Sequence, residues 1–478
     1  MPLNIYTSNR MENLVEALAC VLKEPLSTAL TPEVIVVQSE GMQRWVAMEL
    51  AKHFGVWANC NYPFPNSMVW RLFSLVLPDV PDDASSFAPE VLTWKIMGLL
   101  PGFLDREEFA PLQHYLVGDR NGLKHFQLAE RIADTFDQYT IFRPDMLMEW
   151  EGAKETGSKG KWQAVLWRAL VTGSTGCHRG RLKDEFCRRM MTGIPVDSGI
   201  PERIAVFGIS YLPKYHMEIL ATIARITDVN LFLLSPTREY WADIISTKAT
   251  ARLTAQDGAL RIEGNPLLAS LGKLGRDFSD MVIEIGDVAA VQEDLYEDPG
   301  GASLLQDIQT DILNLSDPGE RPGERMDKRP VDQDDRSIQI HSCHSPMREI
   351  EVLYDNILAI LERVDGLVPR NIVVMTPDIE TYAPYISSVF DGCQDSSLKI
   401  PYSIADRRLK SEGQIAAVML KLMGLPGSRL TVIQLFDILE ATPVRRRFDL
   451  NNEELEIIRG WIEDTWVRWG IDEQSRIR

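Results

Sequence analysis

The sequence lacks the local signatures of several protein classes. Its six cysteines are spread singly, without the C-x-x-C spacing of zinc or redox sites, so we expect buried free thiols in a reducing compartment. No stretch reaches the roughly 18 apolar residues that a membrane-spanning helix requires. The first residues have no basic segment followed by an apolar one, so we predict no secretory leader and a cytoplasmic location.

Signatures of catalysis are also missing. A phosphate-binding loop needs glycines and a lysine after a strand, but residues 7–11 (TSNRM) have neither, and residues 38–42 (QSEGM) have one glycine and an acid. Residues 152–159 (GAKETGSK) approach the pattern, but their last two residues are in the wrong order and no strand precedes them. No G-x-S-x-G or H-E-x-x-H motif occurs. The sequence therefore predicts no catalytic residue, no metal ligand and no cofactor bound by this chain.

Positive charge is scarce, and the formal net charge is −19. This argues against a protein that coats nucleic acid indiscriminately, because phosphate binding depends on Lys and Arg. A local basic channel stays possible. The densest basic clusters lie at residues 178–189 and 445–447, where charge alone favours solvated helix faces or helix ends.

Short apolar runs alternate with longer amphipathic segments, which is typical of an α/β protein with a parallel sheet. Strands are predicted at residues 3–6, 34–37, 204–208 and 229–234, and helices at 11–22, about 42–53 and 215–225. A largely helical region, about residues 67–191, interrupts the sheet. Residues 316–336 read as a linker rich in Pro, Gly and charge. Beyond it we expect strands at 337–341 and 371–375 around a helix at 347–361.

The segment from Leu128 to Arg143 is amphipathic. At about 100° per residue, an apolar stripe forms on one side of the helix, made of Leu128, Ile132, Phe136 and Tyr139. Asp134 and Asp137 fall on the opposite face, with Gln138 on its flank. Carboxylates and amides can meet base edges, but on these residues alone a solvated helix face is the preferred interpretation.

Eight segments, in order along nearly the whole chain, resemble the RecC family, the gamma subunit of exodeoxyribonuclease V. They are residues 6–10 (YTSNR), 35–45 (IVVQSEGMQRW), 58–65 (ANCNYPFP), 136–139 with 143–145 (FDQY, RPD), 206–212 (VFGISYL), 264–277 (GNPLLASLGKLGRD), 341–351 (HSCHSPMREIE) and 468–472 (RWGID). One such segment would be weak evidence, whereas eight in order are specific.

The resemblance implies an α/β, superfamily 1 helicase-like protein with RecA-like parallel sheets, a helical insertion domain and no functional ATPase motifs. The implied domains are residues 1–75 with 196–315 (first helicase-like), 76–195 (helical insertion), 316–336 (linker), 337–430 (second helicase-like, incomplete) and 431–478 (start of a further helical region). The implied partners are RecB-like and RecD-like subunits in a heterotrimer, double-stranded DNA ends and single-stranded DNA, with no membrane. ATP and Mg²⁺ would be used by the partner subunits.

The resemblance also reverses the preference for a solvated face, because four polar residues of this segment match positions at which the family reads the Chi recombination signal. They are Asp134, Asp137, Gln138 and Arg143. Three further positions match contacts to DNA. Gln38 follows a buried strand and has a loop-capping amide as its alternative. Trp70 has a core tryptophan as its alternative, and Arg179 lies in the basic stretch where the match is least secure.

Four positions depart from the best-known pattern of the family: Glu40, Arg44, Phe64 and Thr135. A carboxylate and a guanidinium stand where neutral polar residues are expected, which predicts a different or weaker Chi preference. Two other functions stay open. The chain could be an active helicase with a nonstandard phosphate loop, or a pure assembly scaffold without DNA contact.

Overall fold

A computed structural model describes most of the chain: residues 3–28, 30–78, 80, 87–152, 160–173, 177–192, 199–244, 264–286, 289–316, 330–392, 395, 398–405 and 414–470, with only the backbone at 285–286 and 289–292. Most of the predicted linker, residues 153–159 and residues 471–472 lie outside the described residues. The chain divides into two units, Met1–Ile338 and Gln339–Arg478. None of the described helices is long and apolar enough to cross a membrane.

The first unit is built on one sheet of six strands. They are β1 Leu3–Ser8, β2 Glu33–Val36, β3 Cys60–Asn61, β4 Arg203–Phe207, β5 Asp228–Leu234 and β6 Ala289–Asp294. The order across the sheet is β3-β2-β4-β5-β1-β6, and every pair is parallel. The α/β class and the parallel sheet are confirmed. The strands predicted at 3–6, 34–37, 204–208 and 229–234 are present, whereas β3 and β6 were not predicted.

The helices of the first unit include those that the sequence predicts. They are α1 Met11–Leu22, α2 Glu40–Phe54, α3 Pro65–Val76, α4 Pro89–Leu99, α5 Ala110–Leu116, α6 Leu123–Phe142, α7 Pro144–Glu151, α8 Lys161–Thr172, α9 Arg179–Thr192, α10 Lys214–Ile223, α11 Pro266–Leu271, α12 Lys273–Gly286 and α13 Leu304–Leu313. Between β3 and β4 the described chain is helical, with short 3₁₀ turns at Leu100–Phe103 and Glu107–Phe109.

Both faces of the sheet are covered, as expected for parallel strands. Alternate strand residues such as Ile5, Val206 and Leu231 pack against α3, α9, α10 and α12. The residues between them, such as Tyr6 and Phe232, face α1 and α2. A separate core joins α4, α6, α7 and α8. The sheet therefore holds α1 on one side, and α3, α9 and α10 on the other.

The second unit is helical in its described part. Its helices are α14 Pro346–Arg363, α15 Ile379–Gly392, α16 Gln414–Met423, α17 Val432–Leu439, α18 Thr442–Phe448 and α19 Asn452–Thr465, with a 3₁₀ turn at Pro369–Asn371. A small core of Ile350, Tyr354, Ile357, Phe390 and Ile400 joins α14 and α15. The helix predicted at 347–361 is therefore present.

The strands predicted at 337–341 and 371–375 are wrong. Neither segment belongs to a strand: Ser337 and Ile338 form a bend, and Asn371 ends a 3₁₀ turn. The side chains of Ile340, Val373 and Met375 are 92%, 79% and 89% exposed. Apolar and β-branched residues favour a strand only when a neighbouring strand and a packed face are available. The described part of this unit offers no sheet to them, so the expectation of a second sheet is not met there.

Candidate nucleic-acid interface

Helix α6 has the two faces that its sequence predicts. Ile132 and Phe136 are buried, and Leu128 and Tyr139 pack partly buried against the same helical core. The opposite side carries Asp134 and Asp137, which are half-buried, and Gln138, which is exposed. The apolar stripe is thereby confirmed, and the polar side chains are left for another role.

Asp137 is not a freely solvated carboxylate. Its Oδ1 lies 3.3 Å from Nη1 of Arg179 at the start of α9, and the two side chains are only 22% and 29% exposed. Burial raises the pKa of Asp137; Asp134 and Glu90 raise it further, and Arg179 opposes the shift. This pair joins two of the predicted site residues. Burial disfavours the charged form of Asp137, and a further hydrogen-bond donor would stabilise that form.

Arg143 lies beside the same helix start. It ends α6, and Pro144 begins α7 directly after it. A Cβ atom added to Gly180 would lie 2.8 Å from Cβ of Pro144, so the backbone that follows Arg179 is in close contact with the residue that follows Arg143. Arg143 is exposed. The junction of α6, α7 and α9 thus gathers Asp134, Asp137, Arg143 and Arg179.

Trp70 lies in α3, which shares a core with α9 and α10 on one face of the sheet. Its ring is partly buried and packs against the core on that face of the sheet, so it is not a freely exposed stacking platform. One turn earlier in α3, Asn66 lies 3.0 Å from Nε2 of His216 in α10. Burial lowers the pKa of His216 to about 4, and Arg179 lowers it in the same direction. Arg179 is therefore near the α3–α10 contact as well as near α6.

Gln38 lies apart from this cluster. It is exposed two residues after the end of β2, close to the carboxyl end of the strand as predicted. The preceding residue, Val37, donates its N–H to the carbonyl of Pro63 at 3.2 Å, which places Gln38 near the start of α3. Its side chain makes no hydrogen bond within the described residues. The loop-capping alternative for Gln38 is therefore not supported there.

Of the four positions that depart from the family pattern, three lie near Gln38, in α2 and before α3, and the fourth lies in α6. Glu40 and Arg44 are one turn apart in α2, 3.9 Å from each other and about four-fifths exposed, at 77% and 80%. Phe64 precedes α3 and is 42% exposed. The hydroxyl of Thr135 donates to the carbonyl of Arg131 at 2.8 Å, so this oxygen is already engaged within α6.

The loops at the carboxyl ends of β1, β2 and β4 meet at one edge of the sheet. Gly208 adopts φ +62°, and a Cβ there would lie 2.7 Å from Cε of Met11 and 3.2 Å from Cε of Met42. The methyl groups at the starts of α1 and α2 therefore pack against the loop after β4. Within the described residues, no group of three or more His, Cys, Asp and Glu side chains is arranged to hold a metal ion.

The loop after β1 is also occupied by the chain itself. Asn9 exchanges two hydrogen bonds with the backbone of Glu297, at 2.8 and 3.0 Å. Arg10 forms an ion pair with the Glu297 carboxylate at 3.1 Å, and the Ser8 hydroxyl donates to the carbonyl of Leu295 at 2.7 Å. The segment that follows β6 therefore covers the loop in which a phosphate-binding motif would lie.

Sequence reasoning missed the residues that fix the start of α9. His178 is fully buried, and its Nε2 lies 2.7 Å from Oε1 of Glu151 at the end of α7. The indole of Trp167 donates to the same oxygen at 3.2 Å. These contacts set the position of Arg179, but they join residues far apart in the sequence, so no local spacing could have revealed them.

Comparison with known proteins identifies two matching family models. The model described as RecC, N-terminal domain, matches residues 3–315. The model described as RecBCD enzyme subunit RecC fourth domain matches residues 412–478.

Curated relatives named RecBCD enzyme subunit RecC match over nearly the whole chain. The protein of Escherichia coli (strain K12) is 36% identical over 99% of this chain and 45% of its own length. The proteins of Haemophilus influenzae and Mycolicibacterium smegmatis are each 30% identical, over 98% and 100% of this chain and 46% and 44% of their own lengths. The chain thus spans less than half the length of these relatives.

Proposed function

Since the chain belongs to the RecC family, we propose that it acts as a DNA-binding subunit of a RecBCD-type helicase and nuclease and has no ATPase chemistry of its own. Its partners would be RecB-like and RecD-like subunits, which use ATP and Mg²⁺. Its substrates would be double-stranded DNA ends and the single strands split from them. In this role it guides a strand and reads a Chi sequence during recombinational repair.

The lack of ATPase chemistry is supported by the filled edge of the sheet. Met11 and Met42 pack against Gly208 in the loop after β4, and residues 295–297 cover the loop after β1. A phosphate site needs free backbone N–H groups and a cation. We therefore propose a helicase-like domain, built from residues 1–75 and 196–315, that carries the helical insertion 76–195.

The observation that carries the DNA-reading proposal is the junction of α6, α7 and α9. It gathers acceptors and donors of the kinds that meet base edges, namely carboxylates, guanidinium groups and an amide. Asp137 and Arg179 are held in place by each other, whereas Arg143 and Gln138 are exposed. Such a site would offer two groups in fixed positions, Asp137 and Arg179, and two exposed groups, Arg143 and Gln138, that could contact a DNA strand.

Single-strand binding by the chain itself tests this proposal. Fluorescence anisotropy with labelled oligonucleotides would compare Arg143→Ala and Gln138→Ala with Arg120→Ala and Gln113→Ala, which remove the same groups from exposed positions elsewhere. A good bidentate base contact contributes roughly 1–3 kcal/mol, so Arg143→Ala should weaken binding about 5- to 150-fold. Equal, small effects of all four variants would refute the site.

A scaffold without DNA contact is the second candidate, and the Asp137–Arg179 pair favours it. A half-buried ion pair between two helices is explained by a structural role alone, since it holds the helices together. Under that function, Asp137 variants would change the stability of the chain and leave its affinity for DNA unaltered.

A further inference from the structure

An acidic cleft opens beside α1, away from the proposed DNA-reading junction. It has a volume of about 790 Å³ and lies on the α1 face of the sheet. Its walls come from α1, the first residues of β1 and β5, and the end of β6. The polar residues that matter here are Asn4, Tyr6, Glu16, Glu24, Asp228 and Glu293.

The carboxylates of this cleft have no cationic partner within the described part of the chain. Glu16, Glu24 and Glu293 are exposed. Asp228 accepts only neutral amide donors, from Asn4 at 3.1 Å and from Asn230 at 3.0 Å. Another carboxylate at the rim, Glu297, is already paired with Arg10. The nearby guanidinium of Arg203 donates to the backbone carbonyls of Val21 and Glu24 and is paired with Glu33. Four carboxylates therefore face one cleft without an ion pair of their own within the described residues.

One further acceptor in the cleft is unused. Tyr6 is 8% exposed, and its hydroxyl makes no hydrogen bond within the described residues. Burial raises the pKa of Tyr6, and Glu293, Asp228 and Glu24 raise it further. A buried acceptor without a donor is costly, so this wall of the cleft favours a ligand rich in donors and positive charge.

The ligand cannot be a single metal ion bound by these side chains as they stand. Within the described residues, no three of the Asp, Glu, His and Cys side chains are close enough together to hold one. The charges are instead spread along the cleft, which matches several separate cationic groups. Ala17, Val21 and Leu295 also line it, and such apolar surface suits the aliphatic stems of Lys and Arg.

The edge of the sheet favours a peptide over a small polyamine. Strand β6 is the last strand of the sheet and pairs only with β1 among the described strands. Its outer N–H and C=O groups can bond an added extended segment. Tyr6 and Glu293 are register partners across β1 and β6, so a peptide at this edge would pass close to the acidic wall.

We propose that this cleft binds a basic peptide segment of a partner protein, whose Lys or Arg side chains meet Glu16, Glu24, Asp228 and Glu293. The proposal rests on the proposed function only in that an assembly supplies partner chains. It places a protein-binding site on the α1 face, whereas the DNA-reading residues lie at α6, α7 and α9.

Binding of a fluorescein-labelled hexa-arginine peptide to the 478-residue chain tests the proposal. The cleft variant carries Glu16→Gln, Glu24→Gln and Glu293→Gln, all at exposed positions. The control variant carries Glu107→Gln, Glu108→Gln and Glu149→Gln, which are also exposed and remove the same total charge. The control corrects for the general attraction of a polycation to a chain of net charge −19.

We expect the cleft variant to bind the peptide roughly tenfold more weakly or worse, and the control variant to bind within about twofold of the parent chain. Equal losses in both variants would overturn the site. If spermidine displaced the peptide at matched charge concentration, with the same dependence on the cleft residues, a free polyamine would replace the peptide as the ligand. No DNA is present in this assay, so failure of the DNA-reading proposal would leave the result unchanged.

Discussion

Asp137 gives the sharpest prediction, because one side chain serves both candidate functions. The change Asp137→Asn keeps its shape and an acceptor for Arg179 but removes the charge. A partly exposed ion pair contributes about 0.2–1 kcal/mol, so the free energy of unfolding should change by less than about 1 kcal/mol. Relief of the buried charge, which raises the pKa of Asp137, partly offsets the lost attraction to Arg179.

The effect on DNA should be larger than the effect on stability. Losing the negative acceptor should weaken binding to the preferred sequence, and losing a charge near phosphates should strengthen binding to arbitrary sequences. The preference for an oligonucleotide selected from a random pool should therefore fall about 5- to 150-fold, corresponding to roughly 1–3 kcal/mol. Asp105→Asn, at an exposed position elsewhere, is the matched control and should keep the preference.

The pH dependence provides a second readout of the same side chain. Because the folded pKa of Asp137 is raised, the folded chain takes up this proton before the unfolded chain does. Its contribution to stability therefore rises as the pH falls towards the raised pKa, while the charged acceptor is lost. The sequence preference of the parent chain should decline over that range, and that of Asp137→Asn should stay flat. If Asp137→Asn had the same sequence preference as the parent chain at every pH, base reading by Asp137 would be refuted, and Asp137 would serve only to hold α6 to α9.

The remaining predictions concern the surroundings of the junction and the filled sheet edge. Burial lowers the pKa of His216 from its ordinary value of 6.5 to about 4. The unfolded chain therefore takes up this proton first as the pH falls, and the free energy of unfolding should decrease by up to about 3 kcal/mol between these two values. The change His216→Gln, which keeps a partner for Asn66, should remove that dependence in urea titrations. The change Gly180→Ala would crowd Pro144 and should lower the free energy of unfolding by about 1–3 kcal/mol. The control is Gly98→Ala, because Gly98 lies in a helix with open space around it. In thermal melting this control should be neutral or stabilising. The isolated chain should release no phosphate from ATP above background, with or without single-stranded DNA; turnover lost on changing the loop after β1 would instead establish an active helicase.

The parts of the fold that the sequence predicted are those in which local pattern and packing agree. Helix α1 begins and ends at the predicted residues, Met11–Leu22, because its apolar stripe packs directly on the sheet. Strand β6 was missed because Ala289–Asp294 (AAVQED) has little strand character of its own and depends on its register with β1. The prediction of strands at 337–341 and 371–375 was wrong for the opposite reason. These segments have a strong strand propensity, but the described part of the second unit contains no strand with which they could pair.

The candidate site likewise has a part that local sequence pattern predicted and a part that depends on tertiary packing. Periodicity placed Asp134, Asp137 and Gln138 away from the apolar stripe of α6, and the structure agrees. The pairing of Asp137 with Arg179, and the position from which the charge of Arg179 lowers the pKa of His216, depend on how separate helices pack. No spacing within either helix encodes these contacts.

The central proposal is that this chain reads a sequence in a single strand without performing the ATP chemistry. Its most direct test is DNA processing by the complex reconstituted from the complete subunits of the source organism, with Arg143→Ala or Arg120→Ala in this subunit. Fragment mapping across random-sequence DNA should reveal discrete sites of attenuated degradation in the parent and in Arg120→Ala. In Arg143→Ala those sites should disappear or shift while ATP consumption stays unchanged. Identical fragment ends in all three complexes would contradict the proposal.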